Sequence, residues 1–115
     1  MSVWKPTSVE NEPSTRMVRY VIYRAYFDET KEEYSDHIVG YCYEGRVSSK
    51  IVEWDSEKRL ATTRSGRKYH LTEGGVGVNM DALYVWGHWK YNNNVIEAID
   101  VTEEYVKDDV NDSDF

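Results

Sequence analysis

Cysteine and proline are nearly absent from this chain, which has one of the first and two of the second among 115 residues. The lone thiol, Cys42, excludes an internal disulfide, so nothing requires an oxidising compartment and a cytoplasmic setting is the simplest expectation. No stretch approaches the roughly 18 consecutive apolar residues of a membrane span. Residues 1–13 carry no apolar run resembling a signal peptide. A phosphate loop is also missing, because Gly74, Gly75 and Gly77 come without the lysine or serine that such a loop needs. Basic excess is lacking overall: the formal net charge of −7 argues against the whole surface being a nucleic-acid footprint. The metal-ligand spacings are missing too. His37, Cys42, His70 and His88 show no short-range pair, so neither a metal nor another cofactor is expected. The acidic run at 108–114 resembles a calcium loop in composition but lacks its glycine and terminal glutamate.

Aromatic residues are abundant instead: ten tyrosines, four tryptophans and two phenylalanines, residues that favour strands and binding surfaces. The length fits one domain with a modest core and leaves no room for two. Residues 1–15, with Pro6 and Pro13, read as an irregular arm whose exception is Trp4. Residues 17–27 read as a long central strand. Val21, Tyr23, Ala25 and Phe27 fall on one face and Val18, Tyr20, Ile22 and Tyr26 on the other, so both faces need cover. A polar connection over residues 28–36 leads to a second strand over 37–43. Next comes a meander: a strand at 51–54, the turn Asp55-Ser56-Glu57-Lys58, a strand at 59–64, the two-residue link Ser65-Gly66, and a strand at 67–72.

Asn79 caps a helix predicted over residues 80–91, ended by Asn92-Asn93-Asn94. At 100° per residue Met80, Leu83, Tyr84, Gly87 and Tyr91 form one apolar side, and Ala82, Val85, Trp86 and Trp89 the opposite one. Such a helix must be covered twice. A further strand at 95–101, a short helical turn at 102–106 and an acidic tail at 107–115 complete the chain. The expected architecture is α+β: a curved antiparallel sheet of five or six strands, or a small open barrel, with one packed helix, in a single domain over residues 16–106.

Three functional readings follow, in this order. The first is a non-enzymatic binding protein that engages a protein partner or a small apolar ligand through Trp86, Trp89, Trp4 and Tyr84, and that self-associates, most simply as a dimer. The second rests on a basic stretch within the acidic chain, Arg46, Lys50, Lys58, Arg59, Arg64, Arg67 and Lys68. Arg64, Arg67, Lys68 and Tyr69 would hold single-stranded nucleic acid or RNA. The same charges also serve merely to keep strand edges soluble. The third is a small enzyme with an aromatic-lined cleft and His88 or His70 as base, though no catalytic residue is assigned. Cys42 reads as an inert thiol within its strand.

Residues 48–71, SSKIVEWDSEKRLATTRSGRKYHL, resemble a pattern in small uncharacterised bacterial proteins carried on integron gene cassettes and related mobile elements. The matching pieces are Val52-Glu53-Trp54-Asp55, then Thr63-Arg64-Ser65-Gly66-Arg67 with Tyr69 and Leu71. Asp81-Ala82-Leu83-Tyr84-Val85-Trp86 is similar to a helical piece that can follow. The resemblance implies a mobile accessory protein and supplies no active-site residue.

Overall fold

A computed structural model describes residues 12–107. Its elements in chain order are β1 (Ser14–Met17), β2 (Arg19–Tyr26), β3 (Tyr34–Tyr41), β4 (Gly45–Val47), β5 (Ile51–Asp55), β6 (Leu60–Thr63), β7 (Lys68–Leu71), α1 (Met80–Asn92), β8 (Glu97–Asp100) and α2 (Thr102–Tyr105). The class is α+β, as the sequence indicates. The described strands number eight, however, not five or six. They form two four-stranded sheets, ordered β1-β7-β6-β5 and β4-β3-β2-β8, and neither closes into a barrel. All pairings between these strands are antiparallel except β1 with β7.

The stretch at 17–27, expected as one strand, is split between the sheets. Met17 is buried in the first sheet, Val18 is exposed, and β2 resumes at Arg19 in the second. The change of sheet occurs where the Val18 amide leaves the β1–β7 pairing and donates to the Tyr41 carbonyl at 2.9 Å. β1 also takes in Ser14 and Thr15, which the sequence assigns to the arm; the rest of that arm through residue 11, and the tail from 108, lie outside the described residues. The second strand begins earlier than expected, at Tyr34, and ends at Tyr41, so Cys42 sits in the connection to β4 and not within a strand. β4 has no counterpart in the sequence reading, since three residues with a central arginine give no apolar pattern.

The alternation read on β2 is satisfied by three layers. Tyr20 and Ile22 join Met17, Ile38, Ile51, Ala61, Tyr69 and Leu71 between the two sheets. Val21 and Ala25 join Val39, Ala82 and Trp86 between the second sheet and α1. The second sheet is therefore a middle layer with apolar cover on both sides. α2 is fastened to it by polar bonds. Thr102 Oγ1 accepts from the Ile22 amide, and Arg24 grips Asp36 at 2.8 and 3.0 Å and Glu104 at 2.8 Å, while the Tyr105 hydroxyl also donates to Asp36.

α1 starts and stops as its sequence dictates. Asn79 Oδ1 accepts from the Ala82 amide at 2.9 Å. At the other end Asn94 takes a left-handed conformation at φ 57°, and the Val95 and Asn94 amides turn back to the Lys90 and Tyr91 carbonyls, a Schellman stop. None of the helices in the described residues is long and apolar enough to cross a membrane.

The helix seats on β4 through Gly45, where an added Cβ would lie 2.5 Å from the Ala82 nitrogen. Gly87, on the open side of the same helix, has nothing within 4 Å of such an atom. Gly45→Ala is expected to destabilise the fold by about 2 kcal/mol or more through overpacking. Gly87→Ala is expected to stabilise it by roughly 0.5–1 kcal/mol through helix propensity. Urea midpoints of the two variants check the pair, and equal midpoints would show that the helix does not sit as described.

Candidate functional site

The binding residues expected from the sequence part company in the structure. Trp86 is only 3% exposed and belongs to the core between α1 and the second sheet, so it presents no surface to a partner. It stacks between Tyr23 and Trp89, with ring centroids 5.2 and 5.4 Å away. Trp89 is half-buried at the end of this row. Tyr84 is exposed on the opposite side of the helix, edge-on to His88 at 4.7 Å. Trp4 lies outside the described residues.

The basic set divides too, because neighbouring strand residues point to opposite faces. Arg64 and Lys68 are exposed, but Tyr69 is in the core between the sheets. Arg67 is also buried, with Nε donating to the Glu12 carbonyl at 2.8 Å. Arg64, Arg67, Lys68 and Tyr69 thus form no common face for a nucleic-acid strand. The two histidines weighed as bases fall in different layers: His70 is on β7 in the first sheet, and His88 is exposed on α1, beyond the second. Cys42 is half-buried, and burial pushes its thiol pKa up, away from the thiolate.

The histidine that does occupy an aromatic-lined cleft is His37. β3 is buried along nearly its whole length, and alternation sends Asp36 and Ile38 towards the first sheet and Ser35, His37 and Val39 towards α1. Beside the C-terminal half of α1 the helix does not cover β3 completely. A cleft of about 580 Å³ remains, lined by Phe27, Glu32, Glu33, Tyr34, Ser35, His37, Ser49, Lys50, Arg64, Trp89 and Asn93. Trp89 forms an aromatic wall, edge-on to Phe27 and 4.3 Å from the His37 ring centroid. Glu32 and Glu33 enter from the β2–β3 connection. Lys50 and Arg64 enter from the opposite connections, tied together by the Arg64 amide donating to the Lys50 carbonyl at 2.8 Å. The Ser65 amide also donates to Ser49 Oγ at 3.2 Å, bracing the same rim.

His37 is held at both ring nitrogens. Nδ1 lies 2.8 Å from the Ser48 carbonyl, and Nε2 lies 2.6 Å from Ser35 Oγ. A carbonyl can only accept, so Nδ1 carries the proton and Nε2 is left as the acceptor for the Ser35 hydroxyl. Ser48 is itself fixed, its amide donating to Ile38 O and its hydroxyl accepting from Ile38 N and donating to Ser49 O. Desolvation by burial holds the His37 pKa below its ordinary value, against the opposing pull of the Ser48 carbonyl and Asp36 and with the help of Lys50. The imidazole is therefore neutral at pH 7. In the sequence Ser35 falls in the polar connection over 28–36 and His37 opens the next strand, so the two share no element there and His37 enters only among possible metal ligands. Among the described residues no three His, Cys, Asp or Glu side chains are grouped to hold a metal ion.

Because the His37 pKa is lowered in the fold, an unfolded chain takes up that proton first as the pH falls. His37 stabilises the fold fully above its ordinary pKa of 6.5, and this contribution is lost below it at no more than about 1.4 kcal/mol per pH unit. Long-range nitrogen–proton NMR of the imidazole at pH 7.5 is expected to show Nδ1 protonated and Nε2 bare. The opposite tautomer would contradict the geometry.

Comparison of the chain with protein-family models, with curated proteins and with solved structures finds no match, so the resemblance of residues 48–71 to cassette-borne proteins rests on those residues alone.

Proposed function

We propose that the protein is a small-molecule binding protein, an accessory factor of the cassette-borne kind, whose site is the cleft between β3 and the end of α1. The observation that carries this reading is the convergence there of an aromatic wall, a paired polar floor and charges of both signs. Ligand sites are concave and mostly apolar, with a few fixed polar groups that orient the occupant. A flat apolar group lies against Trp89 and Phe27, and an anionic substituent reaches the rim of Lys50 and Arg64. A purely apolar ligand would leave those cations and the glutamates opposite them without use, so the fitting occupant is an aromatic molecule with a polar or charged end.

Self-association is supported separately by the outer side of α1. There Met80, Tyr84 and Tyr91 are exposed, Met80 by 75% and Tyr91 by 85%, and none of the described residues covers them. A second copy of the chain is the occupant in that reading, and sedimentation showing only monomer at high concentration removes it. Nucleic-acid binding is disfavoured by the burial of Arg67 and Tyr69.

2-Naphthoate serves as the probe for the cleft. It is expected to shift the Trp89 indole and His37 resonances, and Lys50→Ala combined with Arg64→Ala is expected to weaken it about tenfold, or ~1.4 kcal/mol. Both side chains are exposed, so the variants leave the core intact. Shifts confined to Tyr84 and Tyr91, or an affinity that ignores both substitutions, would refute the cleft as the site.

A further inference from the structure

We propose that Ser35 and His37 are a nucleophile and its general base, and that the cleft cleaves small aromatic carboxylic esters through an acyl-Ser35 intermediate. The inference rests on the cleft being a ligand site and adds its chemistry. A serine hydroxyl is a weak nucleophile unless a base within hydrogen-bond reach takes its proton, with that base oriented by a third group. All three parts are present: Oγ is 2.6 Å from Nε2, Nε2 is the unprotonated nitrogen, and the Ser48 carbonyl fixes the tautomer from 2.8 Å on the far side of the ring. The spacing follows from the strand, since residues two apart on β3 share a face.

A serine that only satisfied a buried histidine would need no opening. Here both residues line the cleft, Ser35 being 8% and His37 2% exposed. Trp89 packs on the imidazole and shields it from water. The groups around His37 act on its charge in opposite senses: Asp36, beside it in the strand, favours protonation and Lys50 opposes it, Tyr23 is its partner on β2, and Glu32, Glu33 and Arg64 share the cleft. Burial outweighs the rest and keeps Nε2 free to accept at neutral pH.

In the reaction the Ser35 Oγ–H proton passes to Nε2 as Oγ bonds to the ester carbonyl carbon, and the carbonyl π pair moves onto oxygen. Lys50 and Arg64 provide the positive charge in the cleft for that oxygen. Collapse expels the alcohol oxygen, which takes the proton from Nε2. Water, deprotonated by Nε2, then releases the carboxylic acid and restores the Ser35 hydroxyl.

The full chain is treated with an alkyl fluorophosphonate, in which Oγ displaces fluoride, and with 2-naphthyl acetate as substrate. The expected result is one phosphonyl adduct, mapped to Ser35 and formed at a rate that falls as the pH drops through a value below 6.5. His37→Gln should slow labelling at least about a hundredfold. Should that variant not fold, Ser35→Cys keeps the shape and is expected to lose the phosphonate adduct while becoming alkylated by iodoacetamide faster than Cys42. An adduct on other serines, or none, overturns the inference. If 2-naphthoate still binds in that case the ligand cleft stands, whereas loss of both binding and labelling removes both readings.

Discussion

The β2–β3 ladder, paired without interruption from Arg19 with Tyr41 to Tyr26 with Tyr34, is the contact on which the molecule depends. It is covered on both faces, so most side chains along it are committed to one of two cores or to a polar contact. A slip of one residue would exchange the two sets and carry Tyr20 and Ile22 under the helix and Val21 and Ala25 against the first sheet. The polar residues of β3 gain their environment from this constraint. Asp36 turns towards Arg24 and Tyr105, while Ser35 and His37 turn towards α1, where they bond to each other and His37 also to the Ser48 carbonyl. The candidate site is thus an outcome of sheet register.

Burial of this kind also explains the aromatic composition. Between α1 and the middle sheet the small residues Val21, Ala25, Val39 and Ala82 are joined by the row Tyr23, Trp86 and Trp89, with Phe27 at its edge. Wide flat rings cover a sheet with few residues. The cleft opens at the end of the row, next to Trp89.

Much of the fold could be read in the residues. The meander over β5, β6 and β7 follows from its turn chemistry, α1 from Asn79 and the three asparagines at its end, and the double cover of β2 from apolar residues on both faces. The division into two sheets could not be read. The split of residues 17–27 between them depends on β1 pairing in parallel with β7, a long-range contact that leaves no local pattern. Of the binding residues, Trp89 reaches the cleft, while Trp86 is enclosed because the helix turns that side to the sheet. Ser35 and His37 were hidden for a related reason: a polar residue inside an acidic, turn-like run looks solvated until the sheet buries it.

The change of sheet at Val18 bears on how the chain assembles as it is made. β2 and β3 are near neighbours in sequence and can pair as soon as both have been synthesised, whereas β1 must wait, its edge unpaired, for β7 to emerge. Closing that long loop is entropically slower than forming the hairpin. The β2–β3 hairpin therefore forms early, and each sheet is completed later by a long-range partner, the first when β7 takes up β1 and the second when β8 reaches β2.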